Sequence, residues 1–226
     1  MKKLILSIVI FITAFNLSAH VDDYKEYNYL EYELFRNNKL IGEHKYYFTK
    51  KNDILTVKSV VNFKITKLGV DLYNYFAESE EIYKDGKFYK FSSTTKQNKK
   101  DKYVTIKPSE DESKLIINGS SYKGNASNEF IVGTWWNHEI VQAKAQISAI
   151  SGRIIPQNVK FIGEEELNIN GKKFNAHHFN FSSSQKDLPK EKVLNTNIWY
   201  DKKTNLWIKA SFDKTGYWEY RLKIYK

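Results

Sequence analysis

The sequence predicts an all-β protein, a single curved antiparallel meander of about eleven strands, closed into a barrel or left as a half-barrel. Three observations predict it. Tyrosine and phenylalanine are abundant, at 16 and 14 residues, while proline occurs three times, a balance that suits long uninterrupted strands. Turn signals recur along the chain at Asn37-Asn38, Asn52-Asp53, Asp85-Gly86, Asn118-Gly119, Ser151-Gly152, Asn170-Gly171, Thr204-Asn205 and Thr215-Gly216. Asn-Gly and Asp-Gly pairs mark hairpins because both central residues of a type I′ turn need positive φ. Between the turns, hydrophobicity alternates with a period of two. Residues 55–65 are apolar mainly at odd positions, and residues 218–224 alternate completely. One face is then buried and the other wet, which is the antiparallel pattern.

Taken in order, the chain opens with Lys2 and Lys3, an apolar run from Leu4 to Phe15, and a small residue at Ala19. This is the layout of a secretory signal peptide over residues 1–19, the run being too short to span a bilayer comfortably, with an uncleaved anchor as the alternative. It predicts a periplasmic protein whose remaining residues, 20–226, form one domain with no transmembrane span after cleavage. There is no cysteine, so the exported fold carries no disulfide and no lipid-bearing cysteine. The strand of residues 40–48 places His44 on the face of Leu40, Tyr46 and Phe48, with Gly42 two residues earlier. That glycine predicts either a bulge or room for a tryptophan. Residues 96–102 read as a solvated hairpin end. From Asn128 to about Ala145 the alternation lapses, and a short loop or helical segment near 133–145 carries Trp135 and Trp136. Such a segment lying across a curved sheet would act as its lid or plug.

Lys and Arg number 36 against 26 Asp and Glu, a formal net charge of +10. The basic residues are scattered over turns and outward positions and form no recognition helix, so nucleic acid is not an expected partner. Anionic lipid headgroups remain compatible with that charge.

Each candidate for chemistry has a competing structural reading. His138-Glu139 suggests a zinc protease, but the second histidine needed one helical turn later is Gln142. His177 and His178 are adjacent on a strand and point to opposite faces, so they are not expected to chelate one metal; one hydrogen-bonded and one exposed histidine is the simpler expectation. The run Glu164, Glu165, Glu166 reads as a solvated sheet edge rather than a glycosidase pair. There is no Gly-x-Ser-x-Gly elbow, phosphate loop or calcium loop, and no cofactor or metal site is expected. His44 is either a satisfied core histidine or a polar contact on a pocket floor.

Three stretches resemble a known family. Residues 32–44 resemble a strand, turn and Ile-Gly-x-His opening; Trp136-Asn137, followed by Ser151-Gly152 and residues 163–165, resembles a middle section with a Trp-Asn step; residues 199–201, 206–208 and 220–222 resemble its closing strands. The chain thus looks like the bacterial exported domain-of-unknown-function family numbered 6134, departing from it at His138, where the resemblance implies proline. It implies an exported, mostly β protein and no activity. A coarser similarity is to the half-barrels of lipoprotein-localisation factors, which hold acyl chains.

The functional expectation is a non-enzymatic periplasmic protein binding a lipid or other apolar envelope ligand in an aromatic-lined concave sheet, with His44, Tyr46, Trp135 and Trp136 lining it. The alternative is an envelope protein–protein interaction module with a filled core. The third is a hydrolase-type enzyme using His44 or His138 as general base.

Overall fold

The computed structural model describes Tyr24 and residues 26–226, so the expected leader at residues 1–19 lies outside the described part. The fold class is all-β. Fifteen strands are present among the described residues: β1 Tyr29–Arg36, β2 Lys39–Lys51, β3 Ile54–Lys67, β4 Val70–Lys84, β5 Lys87–Gln97, β6 Lys100–Pro108, β7 Lys114–Gly119, β8 Lys123–Ser127, β9 Ile131–Val132, β10 Ala145–Ile147, β11 Ile154–Ile169, β12 Lys172–Ser183, β13 Asn195–Asp201, β14 Trp207–Asp213 and β15 Tyr217–Tyr225. Two 3-10 turns, His138–Val141 and Lys190–Lys192, interrupt them.

All fifteen strands belong to one curved sheet in the order β8-β7-β6-β5-β4-β3-β2-β1-β15-β14-β13-β12-β11-β10-β9. The first and last strands pair in its middle, while β8 and β9, neighbours in sequence, form its two edges. Among the described residues no ladder joins those edges, so the curved sheet is an open-seamed barrel. Side chains cover the seam instead: Leu115, Ile117 and Ala126 from β7 and β8 pack in one buried cluster with Val132 and Ile147 from β9 and β10.

The count exceeds eleven for physical reasons. The β3–β4 turn is made by Leu68 at φ 50° and Gly69 at φ 78°, and a leucine in that role sends no turn signal. β9 and β10 are two and three residues long, too short for any period to show, and their pairing is parallel. Positive φ at Asn37, Asn38, Asn52, Asp85, Asn170, Asn205 and Thr215 agrees with the other turn signals.

Two glycines serve close packing rather than turning. The turn expected at Asn118-Gly119 falls after it, between β7 and β8, and a Cβ on Gly119 would come within 2.4 Å of the Ser151 carbonyl oxygen. A Cβ on Gly42 would lie 2.2 Å from the Asn62 carbonyl oxygen and 2.4 Å from the Phe63 Cβ. Gly42 thus makes room for the neighbouring strand, not for a tryptophan, and it also marks a bulge in its own strand: Leu34 faces Gly42 and Phe35 faces Leu40, which leaves Ile41 as the extra residue.

Gly119→Ala is therefore expected to cost about 1–3 kcal/mol, because backbone on the facing segment must move. Gly171→Ala, at φ 80° with nothing within 4 Å, carries only conformational strain of about 1 kcal/mol. Urea unfolding midpoints of the two variants decide it; equal losses would mean that Gly119 faces open space.

Candidate functional site

The inner face of so wide a sheet must be covered, and residues 133–145 cover it. Gly133 donates its amide to Ile147 (2.9 Å), and the Thr134 and Trp136 amides reach back to the Val132 and Thr134 carbonyls (2.8 and 2.7 Å). Between them Trp135 sits at φ 57°, a conformation costly for a bulky residue. It gives the two indoles different surroundings. Trp135 meets Trp207, Tyr220 and Phe212 at ring-centroid distances of 5.5, 5.6 and 6.4 Å. Trp136, 0% exposed, meets Tyr24, Phe48 and Tyr83 at 5.3, 5.6 and 5.8 Å, each edge to face. The Asn137 side chain then accepts the Glu139 amide (3.0 Å) and caps the 3-10 turn.

Polar groups on the wall bolt this plug in place. The Tyr46 hydroxyl donates to the Thr134 carbonyl (2.6 Å) and the Tyr200 hydroxyl to the Trp135 carbonyl (2.9 Å). The Gln157 amide group donates to the Ile140 and Ala143 carbonyls (3.0 and 2.9 Å). The central bolt is Glu81, a buried carboxylate on β4. It accepts from the Tyr83 hydroxyl (2.6 Å), the Trp136 indole N–H (2.9 Å) and the Thr134 hydroxyl (3.2 Å). Burial pushes its pKa up, and the three donors only partly oppose that.

The four residues expected to line a pocket are brought into one cluster, and the space beneath Trp136 is filled. His44 is buried against Tyr46 (4.3 Å) and faces Trp207 and Tyr220, with Nε2 at 3.1 Å from the Ser59 hydroxyl. Its Nδ1 is buried without a hydrogen-bond partner. Burial alone pulls its pKa down to about 3, so it is a neutral imidazole with no charged group acting on it. His138 lies elsewhere, edge-on to Tyr200 (4.7 Å) and near Phe179 (6.0 Å), so the two histidines do not form an acid–base pair.

The outer histidines both have partners, contrary to the expectation that one is exposed. His177 Nε2 is 3.4 Å from Glu164, whereas His178 stacks on Trp199 (4.2 Å) and contacts Glu165 (3.1 Å) and Asn197 (2.9 Å). Glu164, Glu165 and Glu166 lie on β11 beyond its short pairing with β10 and reach Lys202, Trp199 and Lys173 respectively. Among the described residues no group of three or more His, Asp and Glu is placed to hold a metal ion.

Open space lies beside the plug, at the end of the seam. A cleft of about 660 Å3 runs between the β5–β7 strands and the plug. Phe88, Leu115, Phe130, Ile131 and Val132 supply apolar lining, and Asn137, Glu139 and Gln142 present polar groups from the 3-10 turn. A recess of about 220 Å3 adjoins it through Tyr83 and Gly86, lined also by Tyr24, Tyr27, Phe48 and Leu55. Tyr83 links the cleft to the core, since the Asn137 side-chain amide reaches its hydroxyl (3.3 Å) while that hydroxyl donates to Glu81. Sequence reasoning missed Glu81 and the cleft. The signal for Glu81 was present: Tyr75, Ala77, Ser79, Glu81 and Tyr83 share one face of β4, and a carboxylate between inward tyrosines requires donors.

The model of the family described as "Domain of unknown function (DUF6134)" matches residues 32–223. The chain belongs to the DUF6134 family. Among solved structures it is similar to a beta-barrel-like protein of domain of unknown function DUF1849 from Brucella abortus, at 12% identity and a TM-score of 0.63, over 88% of this chain and 97% of that one. This likeness concerns the fold alone. A DUF1329 family protein from Desulfovibrio piger aligns over 91% of this chain and 88% of its own at 11% identity, with a TM-score of 0.27 too low to carry an argument. A comparison with curated protein sequences finds no match.

The two buried titratable groups predict opposite pH effects. Glu81 binds its proton more tightly folded than unfolded, so its contribution is complete below the ordinary value of 4.5 and is lost as pH rises through the folded value. Glu81→Gln, which does not titrate, should gain stability relative to wild type as pH rises from 4 towards 8. His44 is held neutral, so its contribution is complete above the ordinary 6.5 and is lost as pH falls towards about 3. His44→Gln should flatten the acid limb of the stability profile. Thermal melts of all three proteins across this range test both; parallel curves would contradict the burial of either group.

Proposed function

We propose that this DUF6134 protein is an exported envelope protein that binds a lipid or other apolar small molecule in the cleft beside its plug. One observation carries the reading: a cleft of about 660 Å3 where the apolar side chains of Phe88, Leu115 and Phe130 lie beside polar ones from both the wall, such as Lys87 and Glu112, and the plug. Ligand sites commonly have about this size, roughly 300–1,000 Å3, and this mixture of apolar walls with a few polar anchors. The export part rests on the leader-like N-terminus. In this reading Trp136 and Tyr46 do not touch the ligand. They hold residues 133–142 rigid, so that Glu139 and Gln142, braced by the buried Asn137 side chain, face the cleft in a preorganised array. His44 and Trp135 serve the same frame from behind.

A second reading, a protein–protein interaction module, is favoured by the complete burial of Trp136 and the filled interior around it.

Native mass spectrometry of the protein isolated from the periplasm of a Gram-negative host separates the two. The ligand reading expects a reproducible extra mass whose occupancy falls at least about ten-fold in Phe130→Asp, since a charge facing an apolar ligand costs more than about 1.4 kcal/mol. Circular dichroism checks the fold. A bare polypeptide mass in every preparation, or an adduct indifferent to Phe130→Asp, would exclude the cleft as the site.

A further inference from the structure

The end of the barrel remote from the cleft carries a finger. β2 pairs with β3 only as far as Gly42 opposite Phe63, and β5 pairs with β4 only up to Gln97 opposite Tyr75. Just past that point the β5–β6 turn closes on Asn74: the Asn98 N–H donates to the Asn74 carbonyl (2.9 Å) and the Asn74 N–H donates to the Asn98 side-chain oxygen (2.7 Å). Residues 66–72 therefore pair only with one another and extend roughly 10 Å past the β5–β6 turn, at about 3.3 Å per residue. On the other flank the β1–β2 hairpin end, Asn37, Lys39 and Leu40, faces Lys64, Ile65 and Thr66 across a gap. Their tip is aliphatic: Leu68 is 95% exposed, Val70 61% and Leu72 54%. A two-stranded hairpin gains nothing from showing such side chains to water, and nothing among the described residues covers them.

The surroundings are basic. Lys67 flanks the tip, and Asp71 within the finger is already taken by Lys64 (3.0 Å). The adjacent β5–β6 turn, Asn98-Lys99, presents Lys99 and then Lys100 at the start of β6, with Asp101 as the acid beside them. Across the same end Lys102, Arg153 and Lys214 lie close together. The Lys214 ammonium donates to the Glu191 carbonyl (2.7 Å), and burial, then Arg153 and Lys102, lower its pKa. The β14–β15 turn that carries Lys214 adjoins the β1–β2 turn, through Asn37 N–H to the Tyr217 carbonyl (2.8 Å), so these turns share one end.

We propose that this end docks on an anionic phospholipid bilayer, the Leu68–Val70–Leu72 tip entering the headgroup–acyl boundary while the surrounding lysines and arginine meet lipid phosphates. A bilayer fits better than a protein partner. The apolar element is a narrow tip of three aliphatic residues rather than a broad patch, and basic groups outnumber the acids, Asp71, Asp101 and Glu191, around it. The docked protein would stand with its cleft turned away from the membrane.

The chain has no cysteine, so a single introduced thiol reports on one place. The full chain carrying Leu68→Cys, labelled with a polarity-sensitive fluorophore, is titrated with vesicles of phosphatidylcholine alone or with phosphatidylglycerol added. The label at position 68 should brighten and shift to the blue on anionic vesicles only. The same label at Lys51→Cys, on the opposite end, should not respond. Adding Lys99→Glu and Lys100→Glu should raise the half-saturating lipid concentration at least about ten-fold, at about 1 kcal/mol per basic residue near the surface. No response at position 68, an equal response at position 51, or indifference to the lysine reversals would overturn the proposal, and a response to neutral vesicles would remove its electrostatic half. Position 68 reports on the finger alone, so the result is independent of whether the cleft holds a ligand.

Discussion

The architecture turns on one buried carboxylate. A fifteen-stranded curved sheet with an unladdered seam cannot bury its inner face by closing on itself, so something must fill it, and residues 133–145 do. Filling with irregular backbone brings polar groups into the interior, where each one lacking a partner costs several kcal/mol. Glu81 is the group around which that cost is met. It accepts from Trp136, Thr134 and the neighbouring Tyr83, joining wall to plug, while tyrosine hydroxyls on β2 and β13 take the carbonyls of Thr134 and Trp135. Aromatic packing supplies the area; these bonds choose the position.

The two ends of the barrel differ as a result. At the end where the 3-10 turn stops, the plug leaves a cleft and lines one side of it with Asn137, Glu139 and Gln142, so any molecule held there would lie against a scaffold fixed by Glu81. At the other end the hairpins are uneven in length and the β3–β4 ladder runs past the ends of the β2–β3 and β4–β5 ladders. An apolar tip among lysines at one end and a cleft at the other give the molecule two chemically distinct ends.

Much of the fold was legible because it is written locally. Asparagine, aspartate and glycine at positive φ marked most turns, and two-residue alternation in β3 and β15 declared antiparallel strands. The lapse of alternation after Asn128 located the plug. Features set by distant contact were not legible. Gly119 looked like a turn residue and is a packing residue, because its constraint comes from Ser151, far away in sequence. The cleft is assembled from β5, β6, β7, β9 and the plug, and no single stretch carries its signature. The candidate site was legible in part. His44, Tyr46, Trp135 and Trp136 do gather, but sequence cannot say whether a cluster of aromatic rings encloses a space or fills one. That depends on the φ of 57° at Trp135 and on Glu81, and together they direct Trp136 into the core.

Hydrogen exchange at the Trp136 indole, followed by NMR, tests the account most directly. A plug bolted to Glu81 predicts that this N–H exchanges only through global unfolding, with the same protection and the same denaturant dependence as the amides of β1 and β2. Exchange through a small local opening, orders of magnitude faster than the strand amides, would show that the segment is a mobile lid over a space and would contradict the filled-core architecture.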